Sequence, residues 1–117
     1  MKKYNRQTGL SAEGIAAAHL QEKGLVILER NFSNKFGEID IIAKDKDVLV
    51  FVEVKAKIGD YFGSPEDMIS PGKLQRIRNM ASVYTKGKEV PCRIDVVAIV
   101  FNDDEQVSRL THYENVY

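Results

Sequence analysis

A chain of 117 residues, 44% hydrophobic and 29% charged, has the length and composition of one soluble globular domain with one core. Its 17 basic and 17 acidic residues cancel, which removes the global basic footprint of many nucleic-acid binders but leaves room for a local patch. The single cysteine, Cys92, excludes an internal disulfide, no apolar run approaches the roughly 18 residues of a membrane span, and no apolar stretch follows Met1–Arg6 to make a signal peptide, so the expected setting is cytoplasmic.

Residues 1 to 7 are polar and expected to be loosely held. From about Thr8 or Ser11 to Lys23, the residues Ala12, Ile15, Ala16, His19 and Leu20 recur at helical spacing, and Gly24 is placed to end the helix. Glu13 lies in the first turns beside this stripe, where an acid also suits the helix dipole. Leu25 to Phe32 reads as a first strand, Asn31 to Lys35 as a polar turn, Phe36 to Ala43 as a second strand and Asp47 to Ala56 as a third. Connections this short exclude crossovers, so the three strands form an antiparallel meander. Lys57 to Ser64, with Gly59 and Gly63 around Tyr61 and Phe62, is a loop long enough to contact a ligand.

Ser70 is an N-cap and Pro71 a first helical residue, and Ile69 with Leu74 takes the positions of a hydrophobic staple. The helix is predicted over Pro71 to Lys86, with Leu74, Ile77, Ala81 and Tyr84 inward, Lys73 and Arg76 on one flank, and Gly87 at its end. Cys92 to Phe101, an apolar run broken by Asp95, reads as a strand buried on both faces and parallel to the third. Asn102 to Gln106 is a turn, and Val107 to Tyr113 alternates weakly as an edge strand. The order αβββαββ defines an α/β fold: one mixed central sheet flanked by helices, in a single domain over residues 1–117.

Three charges interrupt the apolar strands: Asp40, Glu53 and Lys55. Strand alternation puts Glu53 and Lys55 on one face, about 7 Å apart along the chain, and Val48, Val50, Val52 and Val54 on the other. An even loop brings Asp40 to that same face: a two-residue loop at Lys46-Asp47 sets it opposite Glu53, and a four-residue loop sets it diagonal. Two carboxylates ~4 Å apart repel by roughly 4 kcal/mol at an effective dielectric of about 20. A divalent cation between them turns that repulsion into binding. Lys55 beside such a cation is placed to hold or deprotonate a water, or to neutralise charge on a phosphate. Two acids and a lysine are thus the parts needed for metal-assisted phosphodiester hydrolysis. The competing reading is a plain salt bridge from Lys55 to Glu53 or Asp40.

The combination of Gly9 with Glu13, Gly24, Arg30-Asn31, Gly37-Glu38-Ile39-Asp40, Phe51-Val52-Glu53-Val54-Lys55, Pro65-Glu66 with Lys73 and Arg76, and Asp95-Val96-Val97 resembles the YraN family of small bacterial proteins. More widely, it resembles the PD-(D/E)XK nucleases, restriction enzymes and Holliday-junction resolvases among them. The resemblance spans about residues 9 to 98 and implies a restriction-endonuclease-like fold. It implies Asp40 and Glu53 as metal ligands for Mg²⁺ or Mn²⁺, and Lys55 as the catalytic lysine. Glu13 becomes a helix acid that orients a water or metal, and Lys73 the helix residue that meets the phosphate. Ile39 stands where the superfamily's nominal proline falls.

Around this set, Lys57, Lys73 and Arg76 are candidate nucleic-acid contacts. Glu38 shares the parity of Asp40 and is either a supporting acid or a partner of Lys35 or Arg30. Asp95 is read as structural, paired to Arg76 or Arg93, His19 as a helix-packing residue, His112 as a surface residue and Cys92 as a strand residue without a redox task. No His/Cys spacing points to zinc. Tyr61 and Phe62 are candidates for stacking on bases or for a hydrophobic or dimer contact. The expected function is divalent-metal-dependent hydrolysis of DNA, with branched or damaged DNA as candidate substrates and DNA favoured over RNA. The alternatives are a nucleic-acid-binding module with a dormant site, acting with a partner protein, and a structural domain whose carboxylates pair with lysines; the resemblance to junction resolvases, which pair two sites, also makes a homodimer a candidate assembly.

Overall fold

The computed structural model describes residues 4, 5, 10–59, 63 and 65–116. The first helix, α1 (Ala12–Glu22), starts at the later of its two expected positions, because Ser11 Oγ accepts the Gly14 N–H at 3.1 Å and fixes the N-terminus. Its C-cap is Lys23, and Gly24 follows at φ +97°, a conformation that suits a residue without Cβ. Ahead of α1, the short strands β1 (Tyr4–Asn5) and β2 (Leu10–Ser11) pair with each other, so two residues expected to be loose lie in a ladder. Thr8, Gly9, Tyr61 and Phe62 lie outside the described residues.

The main sheet has the order β3 (Val26–Asn34), β4 (Gly37–Asp45), β5 (Val48–Ile58), β6 (Cys92–Phe101), β7 (Val107–Tyr113). The meander β3-β4-β5 is antiparallel, β5 and β6 are parallel, and β7 returns antiparallel at the edge. Strand boundaries differ from expectation in three places, the first being β4, which runs two residues past Ala43 to Asp45. The β3-β4 turn falls at Lys35-Phe36 rather than at Asn31, because Asn34 Oδ1 accepts the Phe36 N–H at 2.8 Å and closes it. Asn31 keeps a left-handed φ of +56° inside β3. β5 runs on to Ile58, because Lys57 and Ile58 find partners in Val100 and Phe101 of the parallel neighbour.

A short helix, α2 (Pro65–Met68), precedes α3 (Pro71–Tyr84), which ends two residues before its expected stop as Gly87 N–H turns back to Ser82 O at 2.9 Å. The N-cap Ser70 accepts the Lys73 N–H at 3.1 Å. Replacing it should matter: Ser70→Ala is expected to lower unfolding stability by about 1 kcal/mol, read as a shift in urea midpoint at constant slope.

The sheet separates two apolar layers. On one face α1 packs Ala12, Ala16, Ala17 and Leu20 against Ile41, Val50, Val52, Val54, Val97 and Ile99. On the other, α3 packs Leu74, Ile77 and Met80 against Ile42, Phe51, Ile94 and Val96, with Ile69 joining them. Met80 is buried where the expected stripe named Ala81 and Tyr84, which sit half-buried at its margin. Phe51 belongs to the α3 layer and Val50, Val52 and Val54 to the α1 layer, so the odd positions of β5, Glu53 and Lys55 included, face α3.

Candidate active site

The β4-β5 turn is the two-residue one, with Asp45 opposite Val48 and Lys46 at φ +56°. The ladder then runs to Ile41 opposite Val52 and stops, one step short of Asp40 and Glu53. The two strands part at the carboxylate pair. Asp40 Oδ2 bridges the opening by accepting the Val54 N–H at 2.8 Å, which satisfies a buried backbone donor beyond the end of the ladder. Both carboxylates are sequestered, Asp40 at 7% exposure and Glu53 at 5%. They share a pocket of about 290 Å³ with Gly37, Glu38, Lys55, Lys73, Arg76, Ile77 and Met80. At about 30 Å³ per water, that volume accommodates several waters or a phosphate group.

A buried carboxylate needs a counter-charge. Glu53 has two: Lys55 Nζ lies 3.3 Å from its Oε2, and Lys73 Nζ contacts the same oxygen. Burial by itself would lower the Lys73 pKa, but the hydrogen bond and charge of Glu53, with help from Lys55 and Asp40, hold it above the ordinary lysine value. Lys73 is thus a charge partner of Glu53.

The donor set is all oxygen from two buried carboxylates, of the kind a hard divalent cation takes. Asp40, Glu53, Lys55, Lys73, Arg76 and Glu38 are brought together in one pocket. Glu38 lies exposed on its wall, while Lys35 is over the Phe36 ring, 5.4 Å from its centroid. Glu13 is half-buried on α1, the helix of the opposite layer, and is not among the described residues lining the pocket. Lys57 continues the Glu53-Lys55 face along β5 but also stands outside that lining.

Asp95 belongs to a separate network. It is fully buried, and Arg93 forks onto it, with Nε 3.0 Å from Oδ1 and Nη2 3.2 Å from Oδ2. The Asn115 N–H adds a bond of 2.9 Å and His112 Nε2 one of 2.7 Å. Lys23 Nζ lies 2.7 Å from Nδ1 of the same ring, and His19 meets it edge-on at 6.4 Å. His112, expected at the surface, is thus an inward residue with a side chain only 2% exposed. The usable signal was its parity with Leu110, which packs on the α1 layer. Asp95, His112 and Glu114 each bring an acceptor atom within 4.8 Å of the others, but the Arg93 guanidinium already bonds Asp95 and Glu114.

A five-stranded mixed sheet with a principal helix on each face and the order αβββαββ defines a mixed α/β domain consistent with the nuclease-like fold. The chain belongs to the uncharacterised protein family UPF0102, the YraN family, whose profile matches residues 12–99. Among similar proteins, a UPF0102 protein of Pelotomaculum thermopropionicum is 41% identical over 112 residues, covering 93% of both chains. One from Syntrophomonas wolfei is 38% identical over 116 residues, covering 97% of this chain and 99% of its own. One from Syntrophus aciditrophicus is 45% identical over 98 residues, covering 81% and 77%. No helix among the described residues is long and apolar enough to cross a membrane.

Proposed function

We propose that this protein is a divalent-metal-dependent nuclease that hydrolyses phosphodiester bonds in DNA. The observation that carries the reading is the parting of β4 and β5 at two buried carboxylates, with two lysines from different elements in the same pocket. Asp40 and Glu53 would hold Mg²⁺ or Mn²⁺, which when bound acidifies water and offsets phosphate charge. Lys55, rigidly held on a central strand, orients the attacking water and balances the charge that builds on the phosphorus oxygens. Lys73 supplies positive charge to the phosphate from the α3 wall, and Arg76, exposed at the pocket, binds a neighbouring phosphate. Lys57 extends the same strand face toward the flanking backbone.

The test is a panel of plain duplex, single-stranded, nicked and four-way-junction DNA incubated with Mg²⁺ or Mn²⁺. Cleavage that chelator removes is the expected result, and a wild-type protein inert on every member would end the enzyme reading. The two ammonium groups on Glu53 favour a second reading, a DNA-binding module with a dormant site. That module would bind DNA in a salt-sensitive way that survives Asp40→Ala, without cleavage under any divalent cation.

A further inference from the structure

The placement of Lys73 says more about this site than a phosphate contact would require. Its side chain comes from the first turn of α3, and its ammonium is lodged on Glu53 Oε2, the oxygen that Lys55 also approaches at 3.3 Å. One carboxylate oxygen thus carries two cationic groups from two different elements. Lys55 stands on the same strand two residues away and has little freedom to leave that face. Lys73 reaches the same oxygen from another element, the helix wall of the pocket, with its side chain 31% exposed against 30% for Lys55.

Resting on the metal-site reading above, we propose that Lys73 is a built-in placeholder. It occupies the cation's position on Glu53 and is transferred to the substrate phosphate when a divalent ion takes that carboxylate. A divalent ion and Lys73 compete for one oxygen, so metal affinity in the free protein is held down. The displaced ammonium then faces a pocket in which Lys55 and Arg76 are also positive. A phosphodiester relieves that excess charge, so metal and DNA each strengthen the binding of the other by the same factor. The site is loaded by ion and substrate together and stays quiet when it meets either one alone.

Calorimetric titration of Mn²⁺ tests this without any turnover. Lys73→Met keeps most of the unbranched stem and removes the ammonium with its charge, while Lys73→Arg keeps the charge; the α3 cap uses the backbone of residue 73 and is untouched by both. The expected result is roughly tenfold tighter Mn²⁺ binding in Lys73→Met, a coupling of ordinary allosteric size, with Lys73→Arg close to wild type. A hairpin DNA with phosphorothioate linkages should then tighten Mn²⁺ binding in the wild type several-fold more than in Lys73→Met. Equal Mn²⁺ affinity in the wild type and Lys73→Met overturns the placeholder role while leaving the metal site standing. Absence of Mn²⁺ binding in both overturns the metal-site reading and the placeholder with it.

Discussion

Asp40→Asn is expected to lower divalent-dependent cleavage at least about a hundredfold, the scale of losing one electrostatic contributor to a transition state, with a melting temperature within a few degrees of wild type. The two effects separate because Asp40 has two tasks. Its charge belongs to the pocket, but its Oδ2 also accepts the Val54 N–H at the parting of β4 and β5. Asparagine keeps an acceptor and loses the charge. Asp40→Ala loses both, and the unpaired buried donor costs a further ~1–3 kcal/mol, so this variant should be inactive and also less stable. Cleavage and thermal melting measured on the same preparations check both halves. Full activity in Asp40→Asn would remove that carboxylate from the chemistry.

Asp95→Ala is expected to be the most destabilising single change away from the apolar core. It strips a fully buried carboxylate from the half-buried Arg93, which keeps Asp45 and Glu114, and from the enclosed His112 side chain, and it orphans the Asn115 N–H. Breaking a buried pair from one side costs about 3–5 kcal/mol, which in a domain of this size lowers the melting temperature by some 15 °C or more. Acid should reproduce part of the effect. Burial by itself would raise the Asp95 pKa, but hydrogen bonds from His112, Arg93 and Asn115 outweigh it and hold the pKa below the ordinary value of 3.8. A depressed folded-state pKa gives stability that is present above the unfolded value and lost as pH falls through the folded one. Wild type should therefore lose this contribution only below about pH 4, the unperturbed aspartate range, and Asp95→Ala should show a flatter acid limb.

The fold was readable because its signals were local. Alternation in Val48–Val54 assigned the faces of β5, Ser70-Pro71 marked α3, and the parity of Asp40, Glu53 and Lys55 chose an even loop that the Lys46-Asp47 turn supplies. The boundaries of β3 were less legible, since Asn31 and Asn34 are both turn formers and only the Asn34 side chain closes the turn. The inward side chain of His112 is only weakly marked in the sequence: it shares parity with Leu110 in a weakly alternating strand, and its partner Asp95 is evident only once β7 is laid against β6. The meeting of Lys73 with Glu53 was beyond sequence for a similar reason: parity sorts residues within a strand, but the reach of a helical lysine across a pocket depends on how the helix is docked.

The parallel pairing of β5 with β6 also bears on how the chain is made. β5 is the central strand, yet its second partner begins only at Cys92, after α3. During synthesis, the meander can form while the side of β5 that will pair with β6 is still a bare edge of unpaired backbone N–H and C=O groups, a template for pairing with another chain. Products that end before Cys92 keep that edge for good. A nascent chain stalled there is an aggregation hazard, and the arrival of β6 supplies the second neighbour of β5 and closes the edge in one step.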